Sequence, residues 1–309
     1  MNKVVSLCCT LLFLCSNLLQ ADETGWALFD KVQLSVKQYN FDSSFVVFKG
    51  SQVETFRWQH GRQGDKEIEH LVPLDEEGVN ILRRDNVVYY FLTDRPALVT
   101  TNDSIKELPA ILFADNQQIR SLYSAVLGSS SVMSGHQAQL LRLSANDPGR
   151  HSYWIWVEAE SGFPLRIDVM SEQQAPLERW LVTHMQISPE LPDNLQRLLE
   201  TELPEPATRQ SGAVLPVNGL QLTWLPDGYQ LVSEPHIVPQ LQQSLINYWL
   251  LSDGLHQVSV FVQPSQRMPT QAYRDGATTI YMLSAPQHDI TVIGPVSINV
   301  AEQLAAAVR

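Results

Sequence analysis

From residue 41 to residue 187 the apolar positions recur every second residue rather than every third or fourth. Residues 41–49 are rich in aromatic and β-branched side chains, and Gly50-Ser51 is a turn signal. Residues 53–60 then set Phe56 and Trp58 against Thr55, Arg57 and Gln59, which predicts a β-hairpin. The alternation resumes at 68–72, 79–83, 87–92, 97–101, 122–127, 138–144, 151–158, 164–170 and 177–187. About ten antiparallel strands are expected, and a sheet of that size must curl or close. One substantial helix precedes it over 23–39, where Trp26, Leu28, Phe29, Val32 and Val36 follow helical spacing behind the acids Asp22 and Glu23. The stretch 105–120 contains Pro109 and lacks alternation, so a loop with one or two helical turns is expected there.

Proline marks the next boundary. Pro189, Pro192, Pro204, Pro206 and Pro216 surround one short amphipathic segment, 194–202, and 203–214 reads as an interdomain linker. The expected division is an N-terminal domain over 22–202 and a smaller α+β domain over 215–309. Strands of the second domain are predicted at 220–224, 229–237, 245–251, 255–263, 277–283 and 289–294, with Asp253-Gly254 as a hairpin turn. A final helix follows Pro295, with Ile298, Ala301, Leu304, Ala305 and Val308 in one stripe. The fold class is therefore α+β, mostly antiparallel β.

All three cysteines, Cys8, Cys9 and Cys15, lie in an apolar run that opens with Lys3 and ends at Ala21 before Asp22-Glu23. That layout reads as a secretory signal peptide over 1–21. Ser16 and Asn17 interrupt the run, which argues against a membrane span, and Leu14 is larger than the small residue a lipid-attachment cysteine requires before it. The processed chain would then be a soluble exported protein without thiol chemistry or disulfides, and its core alone must hold it together.

A formal net charge of −12 argues against a nucleic-acid partner, because phosphates reward a basic surface. The chain carries no G-x-S-x-G elbow, H-E-x-x-H pair, phosphate-binding glycine loop or dinucleotide fingerprint. Its eight histidines stand at least ten residues apart, so none shares a local metal-ligand spacing. No catalytic residue, metal or cofactor is assigned, and a non-enzymatic protein is expected.

The aromatic strand faces point elsewhere. Phe45 and Val47, Phe56 and Trp58, Tyr89 and Phe91, Tyr153 and Ile155, and Trp180 with Val182 each recur at period two. They can simply fill a core. One helix, however, is a small cover for the concave face of ten strands, and the surplus needs either more helix from 105–120 or an apolar ligand. These residues, Val182 apart, are the candidate lining of an acyl-chain site. Trp154 and Trp156 point to the opposite face, where something outside the sheet is expected to cover them.

The succession Leu108-Pro109-Ala110-Ile111-Leu112-Phe113-Ala114-Asp115, then His151-Ser152-Tyr153-Trp154-Ile155-Trp156-Val157 with Ser161-Gly162-Phe163-Pro164-Leu165-Arg166-Ile167-Asp168, resembles the first domain of the MucB/RseB family. Thr223-Trp224-Leu225-Pro226-Asp227-Gly228-Tyr229, and Ser252-Asp253-Gly254-Leu255 followed by Val258-Ser259-Val260-Phe261-Val262, resemble its second domain. The resemblance implies an unclosed half-barrel over helices, like the lipoprotein carriers LolA and LppX, joined to a smaller domain. It also implies a periplasmic regulator that binds the periplasmic part of a transmembrane anti-sigma factor of the RseA/MucA type. Such a regulator shields that segment from the site-1 protease DegS until lipopolysaccharide or lipoprotein acyl chains release it. Trp224, Tyr229, Trp249, Asp253, Gly254 and Phe261 are the candidate partner-binding residues of the second domain. Where relatives tend to carry arginines after the position of Gly128, this chain has Ser129, Ser130 and Ser131, which puts a phosphate contact there in doubt. Arg57, Arg62, Arg83 and Arg84 are the remaining basic candidates near a barrel rim. A periplasmic lipid or lipoprotein carrier is the alternative reading, and oligomerisation is left open.

Overall fold

The computed structural model describes residues 23–75, 78–205, 219–232, 247–267 and 269–309. The expected signal peptide and most of the expected linker lie outside the described residues, as does part of the strand expected at 229–237. Helix α1 (23–38) buries Trp26, Phe29, Val32 and Val36, the stripe its spacing predicts. Eleven strands follow: β1 (Asn40–Lys49), β2 (Gln52–Gln63), β3 (Lys66–Pro73), β4 (Asn80–Arg84), β5 (Val87–Phe91), β6 (Leu98–Thr101), β7 (Tyr123–Met133), β8 (His136–Ala145), β9 (Ser152–Glu158), β10 (Pro164–Met170) and β11 (Pro176–Ser188). They form one antiparallel sheet in the order β6-β5-β4-β3-β2-β1-β11-β10-β9-β8-β7. β1 pairs with β11, which closes the chain on itself at the centre while β6 and β7 remain unjoined edges. The sheet is an unclosed barrel.

Between β6 and β7 the chain makes a short 3-10 turn (Ala110–Leu112) and helix α2 (Asn116–Leu122), whose N-cap Asp115 accepts from the Gln118 backbone N–H. This stretch enters the concave face beside α1. β7 runs well past the expected end at 127. Its second half, Gly128 to Ser131, carries no apolar alternation, because on an edge strand few side chains need burial. α3 (Asp193–Glu200) packs on the opposite, convex face and makes a second small core there: Leu195 and Leu199 against Ile68, Leu82 and Tyr89.

Among the described residues the smaller domain is a six-stranded antiparallel sheet, β12 (Gln230–Leu231), β13 (Asn247–Ser252), β14 (Gln257–Pro264), β15 (Gln271–Asp275), β16 (Thr278–Ser284) and β17 (His288–Gly294), ordered β12-β13-β14-β17-β16-β15. Helix α4 (Ile298–Ala306), N-capped by the Ser297 hydroxyl, buries Val300, Ala301, Leu304 and Ala305 against Val260, Ile290 and Val292. Two expectations fail locally. The strand at 220–224 reduces to a single bridge, Leu222 to Val308, and β15 has no counterpart in the sequence reading because four of its five residues are exposed at the sheet edge. Among the described residues no helix is long and apolar enough to cross a membrane.

Candidate functional site

The concave face gathers the alternate residues that period two predicts. Phe45 and Val47 from β1, Trp58 from β2, Tyr153 and Ile155 from β9 are buried in one core, with Phe56 and Trp180 packed against it. Phe45 stacks on Phe56 at 5.4 Å and meets Trp180 at 5.0 Å. Tyr89 and Phe91 do not belong to this set: Tyr89 lies in the convex core under α3, while Phe91 stacks on it half exposed. Both faces of β5 are apolar, so the period alone does not say which is inside. The pairing Leu82 to Tyr89 puts Val88 and Tyr90 inward instead.

The surplus apolar surface is met by the chain itself. Ile105, Leu108, Ile111, Leu112 and Ile119 are buried between α1 and the sheet. Gln33 of α1 donates from Nε2 to the Ala114 carbonyl at 2.9 Å, and Arg120 donates to Asp30 at 2.9 Å while lying over the Trp26 ring. What remains is an apolar cleft of about 20 Å³, lined chiefly by Phe45, Trp58, Pro109, Leu112, Ile167, Trp180 and Val182. It holds roughly one water, whereas sites for small-molecule ligands occupy on the order of 300–1,000 Å³. An alkyl chain does not fit the cleft as it stands.

Beside the cleft the half-barrel buries a charged group and neutralises it. Glu69 is fully buried; its Oε1 accepts from the Trp58 indole at 2.7 Å and its Oε2 from Arg83 Nε at 2.9 Å. Arg83 also binds Glu67, which accepts at 3.3 Å from His60. Burial works against charge on Glu67, but the hydrogen bonds from His60 and Arg83 hold its carboxyl down at about 2. Arg83 is thus paired, and the other basic candidates have partners too, although Arg57 and Arg62 stay exposed. Arg84 donates to the Leu198 and Thr201 carbonyls at the end of α3, Arg57 pairs with Asp42, and Arg62 pairs with Glu67 at 3.6 Å. On the convex face Arg166 lies 4.1 Å over Trp156 and Arg142 6.0 Å over Trp154.

The second domain seats two loops on one rim of this sheet. The four-residue loop Asp253–His256 closes β13 and β14, with Asp253 Oδ1 accepting from the backbone N–H of Leu255 at 2.9 Å and of His256 at 2.6 Å. Asp253 Oδ2 is paired with Arg150, which also donates to Asp147 at 2.9 Å and to the Asp227 carbonyl at 2.8 Å and lies 5.2 Å over the Tyr229 ring. Tyr153 and His256 meet at 2.6 Å, and His151 Nε2 lies 2.9 Å from the Ala277 carbonyl. Leu255 and Ala277 are part of the half-barrel core itself. Burial, reinforced by Arg150, pushes the His256 imidazole down to about 3; burial chiefly, with His256 and Arg274 nearby, takes His151 to about 4. Both rings are neutral at ordinary pH. With Nδ1 of His256 facing the Asp253 carboxylate at 3.5 Å, Nε2 is left to accept from the Tyr153 hydroxyl.

This changes the picture for the partner-binding candidates. Asp253, Gly254 and Tyr229 are turned into the interdomain seam, and a Cβ on Gly254 (φ +82°) would collide with Gln118 of α2. Trp249 packs against the core of its own domain, Phe261 lies on the other sheet face 4.9 Å from Tyr248, and Trp224 is 37% exposed. Sequence reasoning missed Arg150, Gln118 and the pairing of Tyr153 with His256. Their partners in the second domain lie 77 to 135 residues away, and no local period carries that information.

An unclosed antiparallel barrel filled by its own helices, with a smaller α+β domain docked on its rim, defines the architectural class. The sequence pattern of the MucB/RseB N-terminal domain matches residues 24–202 and that of the MucB/RseB C-terminal domain matches 216–309; the chain belongs to the MucB/RseB family. It is 25% identical over 308 residues to the sigma-E factor regulatory protein RseB of Salmonella typhimurium, covering 99% of this chain and 96% of that relative. To RseB of Haemophilus influenzae it is 27% identical over 287 residues, covering 91% and 89%. Pseudomonas aeruginosa MucB, in its complex structure with MucA, shares the fold with a TM-score of 0.68 at 20% identity, over 93% of this chain and 98% of that one.

Proposed function

We propose that this chain is a periplasmic regulator of the envelope-stress sigma factor that binds the periplasmic part of a transmembrane anti-sigma factor of the RseA/MucA type. Membership of the MucB/RseB family over both domains carries the reading, since curated relatives are named as regulators of sigma-E and one solved relative was crystallised with MucA. Bound to the anti-sigma segment, the protein shields it from site-1 cleavage by a DegS-type protease. The apolar cleft around Phe45, Trp58 and Trp180 takes an acyl chain, from lipopolysaccharide or a stray lipoprotein, as the releasing signal. Trp224, Trp249, Gly254 and Phe261 are the candidates that keep accessible surface for the partner.

The test is a titration of the purified protein with the anti-sigma periplasmic segment, with and without lipopolysaccharide, alongside cleavage of that segment by the site-1 protease. Binding that slows cleavage and weakens with lipid is expected. No binding, or cleavage at an unchanged rate, overturns the reading. A lipid carrier, the alternative, would transfer cargo between membranes and has no need of a docked second domain.

A further inference from the structure

The stretch 105–122 touches both the cleft and the second domain. Leu112 lines the cleft, and Ile119 of α2 is fully buried in the same core. Gln118, the preceding residue of α2, donates to the Asp253 carbonyl, and its amide occupies the space a side chain on Gly254 would need. A seven-residue helix is about two turns and moves as one body. Only Phe113, Ala114 and Asp115 separate the cleft-lining Leu112 from α2, so a turn at 109–112 pushed outward by a hydrocarbon chain, whose carbons pack about 4 Å from their neighbours, would pull on this helix and on Gln118. The loop it touches is not a surface contact, because Leu255 is itself embedded in the half-barrel core.

We infer that the Asp253–His256 loop and an acyl chain exclude one another, with 105–122 as the shared element: lipid insertion unseats the second domain, and unseating that domain opens the cleft. This rests on the acyl-chain reading of the cleft proposed above. It names how lipid would reach the partner-binding domain without touching it. By linkage, whatever factor lipid imposes on docking, docking imposes on lipid.

The experiment uses the full chain with cis-parinaric acid as a fluorescent acyl probe and small-angle scattering as the readout of domain docking. Gly254→Ala is a wedge in the seam, and Gln118→Ala, which only removes the contact, serves should the wedge fail to fold. Each variant is expected to bind the probe about five-fold or more tightly than the unaltered chain, and saturating probe is expected to increase the radius of gyration of the unaltered chain. Equal probe affinity in all three, or binding without a change in radius, overturns the coupling and leaves the acyl site standing. Absence of probe binding in all three overturns the acyl reading and the coupling with it.

Discussion

The Tyr153 hydroxyl lies 2.6 Å from Nε2 of His256, and the two rings are parallel within 9°, although 103 residues separate them in the chain. Tyr153 also belongs to the half-barrel core, so the seam between domains is continuous with the interior of the first. Interdomain contacts of the ordinary, more polar kind leave domains free to move. Here a buried ion pair, a buried phenol–imidazole contact and two apolar side chains hold them.

Arg150 is the anchor of that seam. Arg150→Ala leaves the fully buried Asp253 without its counter-ion, and removing one partner of a buried pair costs about 3–5 kcal/mol. Calorimetry of the variant is expected to separate the unfolding of the two domains, and scattering to show a larger radius. Arg150→Lys should not rescue it, because a single ammonium cannot reach Asp147, Asp253 and the Asp227 carbonyl together. A variant as compact as the parent would count against the anchor role.

Acid should loosen the seam. His256 and His151 are held at about 3 and about 4 when docked and return toward 6.5 when the domains part. The parted state therefore binds more protons below pH 6.5. Docking is strongest above that value and weakens as pH falls, by on the order of 2 kcal/mol per histidine at pH 5. Glu67, whose carboxyl is lowered from 4.5 to about 2, loses its contribution only below pH 4.5, so the window between 7 and 5 belongs to the histidines. Scattering or protease sensitivity across this window checks it, and His256→Gln should remove about half of the dependence, leaving the share of His151.

Trp58→Phe keeps the apolar ring but removes the indole N–H that Glu69 accepts at 2.7 Å. A buried carboxylate oxygen left without a donor costs about 1–3 kcal/mol, read as a lower urea midpoint at unchanged slope. If the midpoint holds, water or a shifted Arg83 has replaced the indole.

Leu112→Ala trims one of the side chains that line the cleft. A loss of about 2–5 kcal/mol in unfolding free energy is expected, together with tighter binding of an acyl probe to the enlarged apolar space. Unchanged probe affinity would place the acyl chain elsewhere.

Most strands, α1 and α4 were legible because amphipathic elements announce themselves by a local period of two or 3.6 residues. The failures share a cause. β15 and the far half of β7 are edges whose side chains meet water, and β5 is apolar on both faces, so none offers an alternation to read. Of the acyl-site candidates, those on β1, β2, β9 and β11 converge because each strand shows a large residue to the concave face. Tyr89 and Phe91 do not, since α3 supplies a second apolar surface outside.

The sequence by itself determined a mostly antiparallel α+β chain in two parts, its family, and a surplus of apolar β-surface, all of which are written in local patterns or contiguous motifs. Only the tertiary structure decided that 105–122 fills the surplus, and that Asp253 is paired with Arg150 of the first domain. It also decided that Arg150, Tyr153 and His256 form one buried seam. Burial of a charge depends on what arrives opposite it, and here the opposing groups come from a hundred residues further along the chain.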